Sequence, residues 1–123
     1  MWSTFLSGTI IACLAMSNVA HAAAMTVGDL KDFCTATDAK SRVACRFFIY
    51  GVVQGIGLSA GKLGDTELFC LPDSLSMAAM ESTVKLAIEQ DLAFFPKDSG
   101  LEASGFVGAA MMMAFPCQEE DRR

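Results

Sequence analysis

The chain has 123 residues, 53% of them hydrophobic, and nine Lys and Arg against fourteen Asp and Glu leave a formal charge of −5. No basic stripe exists to neutralise phosphates, so nucleic acid is not an expected partner, and a cationic protein surface fits the charge better. The only histidine, His21, and the only tryptophan, Trp2, fall near the N-terminus; the rest of the chain cannot build Cys-His or Ser-His nucleophile pairs or a His-bearing metal site.

An apolar run from Phe5 to Val19 leads into Ala20-His21-Ala22, the small-x-small pattern that signal peptidase accepts. Residues 1–22 therefore read as a cleaved export signal, and residues 23–123 as one helical domain of about 100 residues, enough for a single small core. No Lys or Arg precedes Lys31, so the terminal amine alone supplies the positive end; an uncleaved anchor is the alternative. Lipid attachment at Cys13, in Ile10-Ile11-Ala12-Cys13, is disfavoured because the apolar run continues past the cysteine. Beyond the signal lie Cys34, Cys45, Cys70 and Cys117. Four cysteines in a short exported chain imply two disulfides and an oxidising compartment, and with no C-x-x-C spacing a zinc site is the weaker reading.

The first helix is expected over Thr26 to Thr35, with Val27, Leu30 and Cys34 on one face, Thr26 as N-cap and Asp29 completing a capping box. The second starts after Thr37 or Asp38 and runs to about Ala60. It carries two apolar stripes, one of Val43, Phe47, Tyr50, Gln54 and Leu58 and one of Cys45, Phe48, Val52 and Ile56, as a central helix does. Its interleaved Gly51-x-x-x-Gly55 and Gly57-x-x-x-Gly61 predict close approach of a neighbour, within the chain or across a homodimer. The apolar stretch from Phe47 to Ala60 falls short of the ~20 residues needed to cross a bilayer, so no membrane span is expected in the mature chain.

Gly61 to Glu67 reads as a loop, and Phe69-Cys70-Leu71-Pro72 as a buried, non-helical approach to the next helix. The third helix begins near Asp73 to Ser76 and ends about Phe94, burying Met77, Met80, Val84, Ile88 and Leu92, with Glu81, Lys85 and Glu89 spaced to pair along its outer face. Phe95 to Gly100 is the second loop. The fourth helix, about Leu101 to Phe115, has small residues at Ser104, Gly105, Gly108 and Ala109 for tight contact. Its Met111-Met112-Met113 run suits core packing or an adaptable contact surface better than copper(I), and no cofactor is expected.

The expected fold is a small all-α, four-helix up-down bundle stapled by two disulfides. Four cysteines allow three connectivities. In an up-down layout the end of one helix lies beside the start of the next, which pairs Cys34 with Cys45 and Cys70 with Cys117; Cys34 joined to Cys70 or to Cys117 would overturn that layout.

In order along the chain stand Leu30-x-x-x-Cys34, Cys45 followed by Phe48-Ile49-Tyr50-Gly51-Val52-x-x-Gly55, then Phe69-Cys70-Leu71-Pro72, and finally Ala114-Phe115-Pro116-Cys117. This series resembles the Rap/Tai family of type VI secretion immunity proteins from about Val27 to Cys117. The resemblance implies a disulfide-bonded, all-helical periplasmic protein and no enzyme. Such a protein binds and blocks a secreted antibacterial toxin, often a peptidoglycan amidase, by loop insertion or by occluding its active site. The candidate contact residues are Asp65, Thr66 and Glu67 in one loop and Lys97, Asp98 and Ser99 in the other, where acidic groups can face the basic residues or helix N-termini around an amidase cysteine. The alternative is a small periplasmic chaperone of the acid-stress type, with Phe94, Phe95 and Met111 to Met113 as client-binding side chains.

Overall fold

A computed structural model describes residues 24–63 and 67–118, with side chains for 24–59 and 67–118; the expected export signal lies outside them. The described residues form four α-helices, α1 (Val27–Thr35), α2 (Ala39–Leu63), α3 (Met77–Phe94) and α4 (Ala103–Ala114), with a 3-10 turn (Pro96–Gly100) between the last two. Each of the first three helices has a side chain meeting its unpaired N-terminal amides. Thr26 Oγ1 accepts from Asp29 N–H at 3.1 Å while Asp29 Oδ2 accepts from Thr26 N–H at 3.0 Å, a complete capping box. Asp38 Oδ1 accepts from Ser41 N–H at 2.9 Å, and Ser76 Oγ from Ala79 N–H at 3.1 Å.

Two element boundaries differ from the sequence reading. Residues Gly61 to Leu63 continue α2 rather than opening a loop, because a lone glycine in a run with Ala60, Lys62 and Leu63 costs only about 1 kcal/mol against alanine. The fourth helix begins at Ala103 rather than Leu101 because Leu101 and Glu102 are extended, and their backbone is used elsewhere: Val27 N–H donates to Leu101 O, and Ala103 N–H to Met25 O, both at 2.9 Å.

The core is built from Val27, Leu30 and Cys34 of α1, Cys45, Ile49 and Val53 of α2, Phe69 from the connection, Met80, Val84 and Ile88 of α3, and Ala103, Val107 and Met111 of α4. Full burial of each large aliphatic member contributes about 1.5–3 kcal/mol. Cys34 is joined to Cys45 and Cys70 to Cys117, with Cα atoms 5.1 and 4.8 Å apart.

The expected first stripe of α2 is its outer side. Val43, Phe47 and Leu58 are 53%, 60% and 69% exposed, Gln54 is exposed and Tyr50 is half-buried. Apolar residues nearly surround this helix, so their period alone does not choose a face. The Cys34–Cys45 bond does: with Cys45 turned toward α1, Ile49 and Val53 follow it inward at four-residue steps and Val43 and Phe47 turn out. Within the chain no neighbour comes close to the α2 glycines, since a Cβ at Gly51, Gly55 or Gly57 would meet nothing within 4 Å; the surroundings of Gly61 lie outside the described residues, and the approach across a homodimer is the branch of the expectation that one chain leaves open. The tight contact falls on Gly108 of α4, where Ile56 Cδ1 lies 3.0 Å from the place a Cβ would take.

Glu81 pairs across helices rather than along α3. Its Oε2 lies 2.7 Å from Arg46 Nε, with the Glu81 side chain 14% exposed. No described helix is long and apolar enough to cross a membrane.

Candidate functional site

The two loops carrying the candidate contact residues form two differently built corners. At the α2–α3 corner, Asp65 and Thr66 lie outside the described residues. Glu67 is exposed and folds back on the disulfide: its Oε2 is 3.3 Å from Cys70 Sγ and its carbonyl oxygen 3.7 Å from Cys117 Sγ. Cys70 N–H donates to Phe115 O at 2.9 Å, so the start of this connection is tied to the end of α4 by a hydrogen bond as well as a disulfide. The ligand atoms of Glu67, Cys70 and Cys117 lie within 4.8 Å of one another, a spacing a metal ion uses. With the sulfurs joined to each other, neither is the thiolate that a soft metal binds. The grouping is a by-product of the disulfide.

The α3–α4 corner is held without a covalent link. Pro96 stops α3 and opens the 3-10 turn. Phe95 N–H donates to Asp91 O at 2.7 Å, and Asp98 N–H to Phe95 O and Leu101 N–H to Asp98 O at 3.0 Å each. Beyond the turn, the two bonds between the Leu101–Ala103 backbone and Met25 and Val27 fasten the segment to the start of α1. Gly28 allows that seating, because a Cβ there would stand 3.2 Å from the Ser99 carbonyl oxygen.

Of the three candidates at this corner, Lys97 is exposed and Asp98 and Ser99 are half-buried. The largest exposed surfaces beside them are apolar: Phe94 is 80% exposed, Phe95 60% and Leu101 50%. Phe94 and Phe95 enter the sequence reading only as client-binding side chains. An aromatic pair placed just before a proline, at the end of a helix whose inward stripe is already complete, is the signal that they face outward. Aromatic side chains on a segment that is already ordered are effective anchors, since little freedom remains to be lost on binding.

Elsewhere, the methionine run does not converge on one point. Met111 is fully buried, whereas Met112 is 43% and Met113 85% exposed, as the ~100° step between successive helical residues requires. Met111 is thus core, correcting its inclusion in a client-binding run. The Asp29 carboxyl is held below its ordinary value of 3.8 first by the Thr26 backbone N–H and then by the Thr26 hydroxyl. Asp38 is lowered in the same way, first by the Ser41 backbone N–H. Both groups serve helix starts.

The family model for Rap1a immunity proteins matches residues 26–117. No curated protein and no solved structure matches the chain.

Proposed function

The chain belongs to the Rap1a immunity protein family, and from that membership we propose that it is a periplasmic, non-enzymatic inhibitor of a secreted antibacterial toxin, a peptidoglycan amidase delivered by type VI secretion. Residues 1–22 are the export signal in this reading, and the two disulfides fit an oxidising destination. The observation that carries the choice of contact surface is the α3–α4 corner. Its backbone is fastened to α3 and to α1, and it exposes Phe94 and Phe95 around Lys97, Asp98 and Ser99. The α2–α3 corner, with Asp65, Thr66 and Glu67, is the second contact proposed. Occlusion of the toxin active site follows from lodging such a rigid projection in its cleft.

A homodimer belongs to the same reading, and the outer face of α2 is its proposed surface. Two antiparallel copies crossing at Gly51 would set each exposed Phe47 over the open Gly55 of the other. The chaperone alternative rests on the exposure of Phe94, Phe95 and Met113. It predicts dye-binding apolar surface appearing near pH 2–3.

Affinity capture of the tagged, exported protein from its own cells under non-reducing conditions tests the proposal. A single stoichiometric peptidoglycan hydrolase, inhibited in the complex, is expected; many weak clients would transfer the assignment to the chaperone.

A further inference from the structure

The C-terminal end of α3 carries an electrostatic imbalance that nothing among the described residues repairs. Its last turn holds Asp91 and no basic residue. A carboxylate there adds to the negative end of the helix dipole, where a cation is the favourable charge. Asp91 Oδ2 is buried without a hydrogen-bond partner, although the residue as a whole is only half-buried and so meets solvent in part. From Leu86 to Gln118 the charges are Glu89, Asp91, Asp98 and Glu102 against Lys97 as the one cation. Three and four residues further along the chain stand the exposed Phe94 and Phe95, the spacing that places side chains on the same side of a helical turn.

Aromatic faces beside an underpaired carboxylate make a receptor for one chemistry in particular. A guanidinium is planar, stacks on aromatic rings, donates a fork of hydrogen bonds to a carboxylate and sheds water more readily than an ammonium. We propose that the α3 C-terminal corner is a receptor for an arginine side chain of the toxin, with Asp91 accepting from the guanidinium and the rings of Phe94 and Phe95 covering it. This rests on the inhibitor reading for the partner's identity, but not for the chemistry of the corner. The arrangement also explains why an acid is kept where the isolated helix gains nothing from it: its partner arrives in the complex, and specificity is obtained at the expense of the free protein.

Two measurements on the full oxidised chain separate the receptor from the reading on which it rests. In the first, a short glycine–arginine peptide, with its glycine–lysine counterpart as control, is titrated while backbone amide resonances are followed. The arginine peptide is expected to shift the amides of residues 91 to 98 more than the lysine peptide does, and the shifts are expected to vanish in Asp91→Asn. Equal effects of the two peptides, or no shifts at this corner, would overturn the proposal whatever the toxin proves to be.

In the second, affinity for the captured hydrolase is compared between wild type, Asp91→Asn, Phe95→Ala and an exposed control, Asp73→Asn. Asp91→Asn and Phe95→Ala are each expected to weaken binding at least tenfold and the control to leave it unchanged, while Asp91→Asn melts at or above the wild-type temperature. Affinities for both variants within twofold of wild type would also overturn the proposal. Arginine-selective shifts in a protein that captures no hydrolase would retire the inhibitor reading and leave the receptor standing.

Discussion

Among the described residues the two corners of this bundle are both fastened, but by different means and with different results at the surface. The α2–α3 corner is tied by the Cys70–Cys117 bond, and its Glu67 turns back toward the sulfurs. The α3–α4 corner has no covalent tie and is fastened by backbone hydrogen bonds to its own helix and to α1, which consume main-chain groups and leave Phe94, Phe95 and Leu101 facing out. A staple made of side chains removes those side chains from the binding surface. A staple made of backbone consumes no side chain itself, and the corner held by backbone is therefore the better presenter of contacts.

The largest test of this contrast removes the covalent staple. Replacing Cys70 and Cys117 together by serine should cost about 4 kcal/mol, against about 3 kcal/mol for Cys34 and Cys45, by the chain-entropy estimate for the longer and the shorter loop. Urea denaturation reads both losses. Toxin affinity in the Cys70/Cys117 double variant should hold wherever the protein remains folded, and a collapse of affinity in folded protein would move the contact to the stapled corner.

Next in size is Gly28→Leu, which forces bulk against the Ser99 carbonyl and should cost roughly 1–3 kcal/mol as an overpacked contact. It should lift the 3-10 turn off α1 and weaken binding without disturbing the cysteine pairs, as thermal melting, affinity and peptide mapping would show. Thr26→Ala removes the side-chain cap beside the same seating and should cost about 1 kcal/mol, with a smaller loss of affinity. If Thr26→Ala binds worse than Gly28→Leu, the close seating of Ser99 is not what holds the corner.

The smallest effect is on pH. Folding holds the Asp29 and Asp38 carboxyls below 3.8, so the unfolded chain takes up protons first as acid is added. The stability these groups contribute is complete above that value and is lost as pH falls through their lowered values in the folded protein. Melting followed from pH 6 to pH 2 should show this decline, and Asp29→Asn should flatten part of it. A flat profile in wild type would show that these caps do not hold the start of α1 or α2.

Much of the fold is written in local chemistry. Thr26 and Asp29 announce the start of α1, Pro96 the stop of α3, and the stripe of Met80, Val84 and Ile88 the buried side of α3, all from residues within a few turns of each other. What is not legible locally is orientation. Phe47 and Ile49 are equally plausible core residues on a helix apolar almost all round, and a bond to another helix, at Cys45, decides between them. The same holds for the candidate site. The polar residues Lys97, Asp98 and Ser99 stand out as a loop, but the exposure of Phe94 and Phe95 depends on how the turn after them is fastened to Met25 and Val27. That fastening is a tertiary contact between distant parts of the chain, and no local pattern encodes it.

The order of the disulfides along the chain has a consequence for how the protein is made. Cys34 bonds to the next cysteine, Cys45, and Cys70 to the next after that, Cys117, so the two covalent loops are consecutive, neither nested nor interleaved. An oxidant that joins cysteines in the order in which they emerge from a translocation channel therefore arrives at the native pairing directly. In the proposed export, removal of residues 1–22 would take Cys13 away and leave an even set of cysteines, which would need no isomerase to correct their pairing.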